Sequence, residues 1–186
     1  MALFTGKGDG GTTKTFSGKE RISKGSAVAE ALGSLDEINS YLGLAKVKSK
    51  DSGFKVKELD LSFESIVHQV QKNLFIVQAE LAGAPKTIEE GKVKQLEEII
   101  NTVEKELPPI KSFFIVGGTE IAACFDVART IARRAERRVV GAKEQANLEI
   151  GAFTLAYLNR LSSLLYALAR LSNHLSGISE EPPDYR

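Results

Sequence analysis

Apolar positions in this chain recur every three to four residues over long stretches, the period of helices with one face turned inward. Val28, Leu32, Leu35, Ile38, Leu42 and Ala45 keep that spacing and predict a first helix over 26–48. Residues 49–57 are polar, contain Gly53 and read as a connector. A second helix is predicted over 58–82, with Phe63, Ile66, Val67, Val70, Leu74, Val77 and Leu81 inward and Gly83 and Pro85 ending it. A third, 88–106, presents Val93, Leu96, Ile99, Ile100 and Val103, then stops at Pro108 and Pro109. The period lapses over 111–118, an extended loop that carries Phe113, Phe114 and the Gly117–Gly118 pair. Thr119 has the side chain of a helix N-cap and opens a fourth helix to about Lys143. The last, 149–175, is apolar around most of its circumference, as a helix in the middle of a bundle or at a subunit contact must be. The fold class predicted is therefore all-α: an antiparallel bundle of four or five helices behind an irregular glycine-rich N-terminal segment.

A length of 186 residues suits one domain. It divides into an N-terminal segment 1–25, a bundle 26–177 and a tail 178–186. Hydrophobic residues at 42% and charged residues at 26% exclude a disordered chain. A net charge of +1 argues against a polyanion binder, so any anion must be held by a local cluster. Cys124 is the single cysteine, and with His68 and His174 the only histidines, no set of residues has zinc-ligand spacing. No metal-ligating residues are expected. The apolar run 155–171 is interrupted by Asn159, Arg160 and Arg170, so no membrane span is expected. The first ten residues lack the form of a secretion signal, and the expected compartment is the cytoplasm.

Two segments carry candidate chemistry. The first, Thr5-Gly6-Lys7-Gly8-Asp9-Gly10-Gly11-Thr12-Thr13, lets backbone N–H groups approach a polyphosphate and adds hydroxyl and ammonium donors. Arg21 and Lys24 follow, placed to add charge to the same anion. Gly6, Gly8 and Gly11 match the dinucleotide fingerprint in letters, but no strand precedes them, and Lys7 lacks the Ser or Thr of a P-loop. An exposed N-terminus rich in turn residues has the same composition. The second segment runs from Asp126 to Arg138. At about 100° per residue, Arg129, Arg133 and Glu136 share one arc beside a stripe of Ala128, Ala132, Ala135 and Val139, while Arg134 and Arg138 point towards solvent. A salt-bridged surface face is one reading; capture of phosphate or carboxylate by the planar guanidinium fork is the other. Asp36 and Asn159 interrupt apolar stripes, and a buried Asn is either a knot between helices or a ligand contact.

Together, Thr5-x-x-Gly8-Asp9-x-Gly11-x-Thr13, Arg21-x-x-Lys24, Gly33-x-Leu35-Asp36-Glu37-x-Asn39-Ser40, Gly117-Gly118, Ala128-Arg129-x-x-x-Arg133-Arg134-Ala135-Glu136-Arg137 and Leu158-Asn159-Arg160-Leu161-Ser162 resemble the PduO-type ATP:corrinoid adenosyltransferase family. The resemblance runs from Thr5 to about Asn173. It implies a homotrimer with an active site at each subunit contact, moving the 5′-deoxyadenosyl group of ATP to the Co(I) of a corrinoid such as cobalamin and releasing triphosphate. It implies that residues 5–13 and Lys24, with Arg21 nearby, hold the triphosphate, that Mg²⁺ accompanies the nucleotide, and that Arg133, Glu136, Arg137 and Asn159 complete the ATP site. Asp36 and Arg129 resemble an intersubunit salt bridge beside the corrinoid, and Phe113, with Phe114 one register away, resembles the aromatic that crowds the lower corrin face. A corrinoid reductase and an adenosylcobalamin-dependent acceptor enzyme are the implied partners; nucleic acid and membrane are not. The chain departs from the family at Val116, where proline is common, and at Gly25 and Ala27. A non-enzymatic, ATP-regulated corrinoid carrier is the alternative reading.

Overall fold

The computed structural model describes residues 2–16, 18 and 21–185. Two short strands, β1 (Thr12–Lys14) and β2 (Arg21–Ser23), pair antiparallel with Thr12 opposite Ser23. Five helices follow: α1 (Ala27–Ser52), α2 (Phe63–Leu81), α3 (Glu90–Glu106), α4 (Glu120–Gln145) and α5 (Ala152–Leu175). Between α1 and α2 lies a second small hairpin, β3 (Lys55–Val56) and β4 (Leu61–Ser62).

The helix limits follow local chemistry. Ser26, Ser62 and Thr119 each accept a hydrogen bond from the backbone N–H three residues on, satisfying a donor the first turn leaves open. The first helix extends past the expected 48 to Ser52, because polarity does not break a helix; Gly53 at φ 65° does. The second starts at 63 and not 58, since Asp60 at φ 48° turns the chain into β4. The fifth starts at 152 and not 149. There the Glu80 carboxylate reaches across from α2 to accept from Gly151 N at 2.8 Å and from Thr154 Oγ1, doing the work of a cap that the sequence near Gly151 lacks.

Cross-contacts fix the directions. Glu30 pairs with Arg138 and Lys48 with Glu120, so α1 and α4 are antiparallel. Asn159 meets Glu136 and Asn173 meets Thr119, so α4 and α5 are antiparallel as well. Helix α3 keeps the expected alternation: Ile88 touches Thr154, Glu97 holds Arg160 and Pro108 meets Arg170, which sets α3 parallel to α5, two helices further along the chain. The core is apolar and centred on α5, whose Leu158, Leu161, Leu164, Leu165, Leu168 and Leu171 are buried, together with Leu35, Phe63 and Phe125. Each such side chain contributes roughly 1.5–3 kcal/mol by leaving water. Tyr157 brings a phenol into that core and satisfies it by accepting from Asn73 Nδ2 at 3.1 Å; burial pushes its pKa well up.

Candidate functional site

The N-terminal segment is irregular, as expected, apart from the short β1–β2 pairing. Two successive turns, Asp9 N to Gly6 O and Gly11 N to Gly8 O, both 3.1 Å, curl the chain just before β1, and Gly6 and Gly11 take φ of 67° and 74°. Arg21 donates from Nε to Thr12 Oγ1 and from Nη2 to Thr12 O, both at 2.7 Å, so it braces the hairpin. Lys24 N closes on Gly11 O at 2.9 Å, and its ammonium lies so close to the turn that a Cβ on Gly8 would stand 3.2 Å from Nζ. No described residue between 2 and 25 is buried. Thr5, Lys7, Asp9 and Thr13 thus surround an exposed turn whose cation, Lys24, is folded over it.

The long helices carry the second part. Phe113, Arg129 and Arg133 line one cleft of about 600 Å³ with Ser162, Ser163 and Tyr166 of α5. Arg129 stacks 5.8 Å from the Tyr166 ring centre. Its Nε is buried without a hydrogen-bond partner, with Asp126 Oδ1 3.8 Å away. Asp126 was not singled out by the sequence. Its other oxygen accepts from Gly117 N at 3.2 Å, tying the aromatic loop to α4. Burial raises the Asp126 carboxyl pKa, against the opposing pull of the Gly117 N–H and Arg129.

About one turn along α4 from Arg133, Glu136 accepts from Asn159 Nδ2 at 3.1 Å, and Asn159 Oδ1 accepts from Arg160 at 2.7 Å. Asn159 is exposed, which corrects the expectation of a buried asparagine. It lies on the outward side of α5, beside the inward Leu158. Arg133 and Arg137 are exposed too. Arg134 and Arg138 face outwards as expected but are paired, with Glu37 and Glu30 of α1.

Asp36 is exposed and not core-facing. Its neighbour Glu37 meets α4 through Arg134, whereas Arg129 turns to the α5 side. Among the described residues of one chain, Asp36 and Arg129 form no ion pair. The two phenylalanines also separate: Phe114 is half-buried 5.3 Å from the Arg170 guanidinium, while Phe113 is 81% exposed at the cleft. Asn173 completes the loop's support. Its Oδ1 accepts from Thr119 N at 3.0 Å and its Nδ2 donates to Gly117 O at 2.8 Å. Arg170 was visible in the sequence as a break in an apolar run; Asn173 carried no such signal, standing one turn from the end of its helix.

The profile of the family described as cobalamin adenosyltransferase matches residues 3–172. The chain belongs to the cobalamin adenosyltransferase family. Among curated members, the corrinoid adenosyltransferase of Bacillus subtilis is 38% identical over 185 residues, covering 97% of this chain and 91% of its own. The corrinoid adenosyltransferase PduO of Citrobacter freundii is 37% identical over 181 residues and 94% of this chain, which spans only 50% of that relative's length. Among solved structures, a variant PduO-type ATP:corrinoid adenosyltransferase from Lactobacillus reuteri complexed with cobalamin and ATP superposes with a TM-score of 0.85 at 29% identity, covering 98% of this chain and 99% of that one. In this cobalamin adenosyltransferase fold, the bundle is what brings the loop 110–118, α4 and α5 to one cleft.

Proposed function

We propose that this chain transfers the 5′-deoxyadenosyl group of ATP to the cobalt of a corrinoid, releasing triphosphate. The observation that carries this reading is the meeting of Phe113, Arg129 and Arg133 in one cleft, with Glu136 and Asn159 next along α4 and α5. In the reaction, Co(I) gives an electron pair to C5′, a cobalt–carbon bond forms, and the C5′–oxygen bond breaks with its pair leaving on triphosphate. No side chain has to form a covalent bond. The chain's task is to hold carbon and metal in line and to stabilise the departing charge. Lys7, Lys24 and the N–H groups of the turn at 6–13 hold the triphosphate; Arg133 reaches it from α4, and Glu136, Arg137 and Asn159 seat the rest of the nucleotide. Asp9 and Thr13 carry oxygen atoms of the kind Mg²⁺ takes, whereas those of Thr12 are held by Arg21. Among the described residues no three His, Cys, Asp or Glu side chains converge, so the phosphates themselves would supply most of the ion's ligands.

Phe113 packs on the lower corrin face and excludes the axial ligand, which makes Co(II) easier to reduce. Asp36 and Arg129, apart within one chain, would meet across a contact between copies, making the active unit a homotrimer in which residues 1–25 bind nucleotide and 26–177 form the bundle of one domain. Among the described residues no helix is long and apolar enough to cross a membrane, and a cytoplasmic location fits the lone thiol Cys124. A reductase would supply the electrons and an adenosylcobalamin-dependent enzyme would take the product. The test is an anaerobic mixture of protein, ATP and chemically reduced corrinoid, followed by visible spectroscopy. A light-sensitive alkylcobalt spectrum with stoichiometric triphosphate is expected; corrinoid retained unchanged would leave the carrier reading, and ADP as product would identify a hydrolase.

A further inference from the structure

Among the described residues Arg170 is the one buried cation, 5% exposed near the end of α5. Two of its three guanidinium nitrogens, Nε and Nη2, hold oxygen partners. Nε donates to both Glu180 oxygens at 2.8 and 3.0 Å, Nη2 donates to Glu180 Oε2 at 2.7 Å and to Pro108 O at 3.0 Å, and its plane lies 5.3 Å from the Phe114 ring centre. One residue beyond Glu180, the Glu181 carbonyl accepts from Ile115 N at 2.8 Å. The tail after α5 therefore folds back over the aromatic loop and is fastened on both sides of Phe114. A buried guanidinium stripped of its carboxylate is costly, so Arg170, Glu180, Phe114 and the Pro108 turn stand or move as a unit.

None of the nucleotide-binding candidates touches this unit. Two routes lead from it to the cleft: Phe114, which itself lines the cleft beside Phe113, and Tyr166, one turn before Arg170 on α5, which feels the charges of both Arg170 and Glu180. We infer that the Arg170–Glu180 pair is a positioning device: the tail at 178–181 clamps the loop so that Phe113 keeps its place at the corrinoid side of the cleft. This rests on the proposed role of Phe113, but the clamp itself can be read without any turnover. Burying a complete ion pair at a loop that a frayed tail would leave free makes sense where the loop's aim matters.

The chain contains no tryptophan, so Phe113→Trp installs a single indole reporter. Glu180→Gln in that background is expected to lower indole anisotropy and to raise acrylamide quenching about twofold, with helical circular dichroism unchanged. In the otherwise native chain, Glu180→Gln should slow adenosylation from Co(II) corrinoid about tenfold, while the rate from pre-reduced Co(I) and the KM for ATP stay within about twofold; Glu180→Asp, which keeps the charge, should recover part of the loss. The double variant Arg170→Met/Glu180→Gln leaves no buried charge uncompensated and serves the same readouts where the single change costs helical signal. Unchanged anisotropy and quenching in a folded variant, or equal losses from both cobalt states, would overturn the clamp. If the reporter responds but no variant, nor the native chain, alkylates cobalt, the clamp stands and the assigned reaction falls.

Discussion

Arg133 is exposed beside the cleft, three residues before Glu136 on the same helix, and makes no ion pair among the described residues. A guanidinium left so uncommitted costs the fold little to remove, and its planar donors suit an oxygen-rich leaving group. Arg133→Ala should therefore lower kcat of adenosyl transfer about 10²–10³-fold while thermal stability shifts by less than about 0.5 kcal/mol; parallel kinetics and melts check both halves. Asp126 is the opposite case, committed to the fold through Gly117 and Arg129. Burial raises its pKa, so between the ordinary carboxylate value of 3.8 and the raised one the folded state binds more protons than the unfolded state, and stability falls as pH rises through that window. Asp126→Asn keeps an acceptor for Gly117 N and does not titrate. The stability of the native chain relative to this variant should be highest below pH 3.8, decline as pH rises above it, and level off once the buried group has ionised. Paired melts across that range give the difference directly, other carboxylates cancelling.

At the scale of elements, the loop 110–118 is held by α4, α5 and the tail rather than by its own hydrogen bonds. Gly118 has φ 102°, and a Cβ there would stand 2.5 Å from Asn173 Oδ1, the atom that caps Thr119 N. Gly118→Ala should destabilise the fold by about 2–3 kcal/mol, combining backbone strain with loss of that contact, and should move the loop. Denaturant melts check the energy, and the Phe113→Trp reporter the movement. This is also where sequence reading reached its limit. The helices were legible because their apolar period is imposed residue by residue: Val93, Leu96 and Val103 point inward in α3 as their spacing requires. Arg129 and Arg133 fell to one side of α4 for the same reason. The β1–β2 and β3–β4 hairpins were not legible, being two or three residues long and too short to show alternation. Nor were the exposure of Asn159, the Glu80 cap on α5 or the clasp by Asn173, because each depends on which helix lies alongside, and periodicity within one segment says nothing about its neighbour. The packing of α3 against α5 belongs to the same class.

At the scale of the whole molecule, one chain presents a divided site. The exposed turn at 6–13 precedes α1, whose first residues lie at the C-terminal end of α4, where Glu30 meets Arg138, whereas the Phe113 cleft lies nearer the start of α4. Asp36 is exposed on α1 while Arg129 lines the cleft with α5, and α1 and α4 also expose Leu44, Val47 and Val127, apolar side chains that a second copy in the proposed trimer would cover. In the proposed cyclic trimer each contact would be heterologous, one copy giving Asp36 and the next Arg129. Asp36→Asn should then weaken corrinoid capture more than nucleotide capture, which equilibrium titration of each ligand measures. Complementation is the sharper form of the same prediction. Asp36→Asn subunits retain Arg129, and Arg129→Ala subunits retain Asp36, so random mixing of two impaired variants restores both residues at roughly one contact in four. Co-refolded mixtures should regain about a quarter of native activity, with neither variant recovering alone; a mixture no more active than the mean of its parents would place both residues in the service of a single chain.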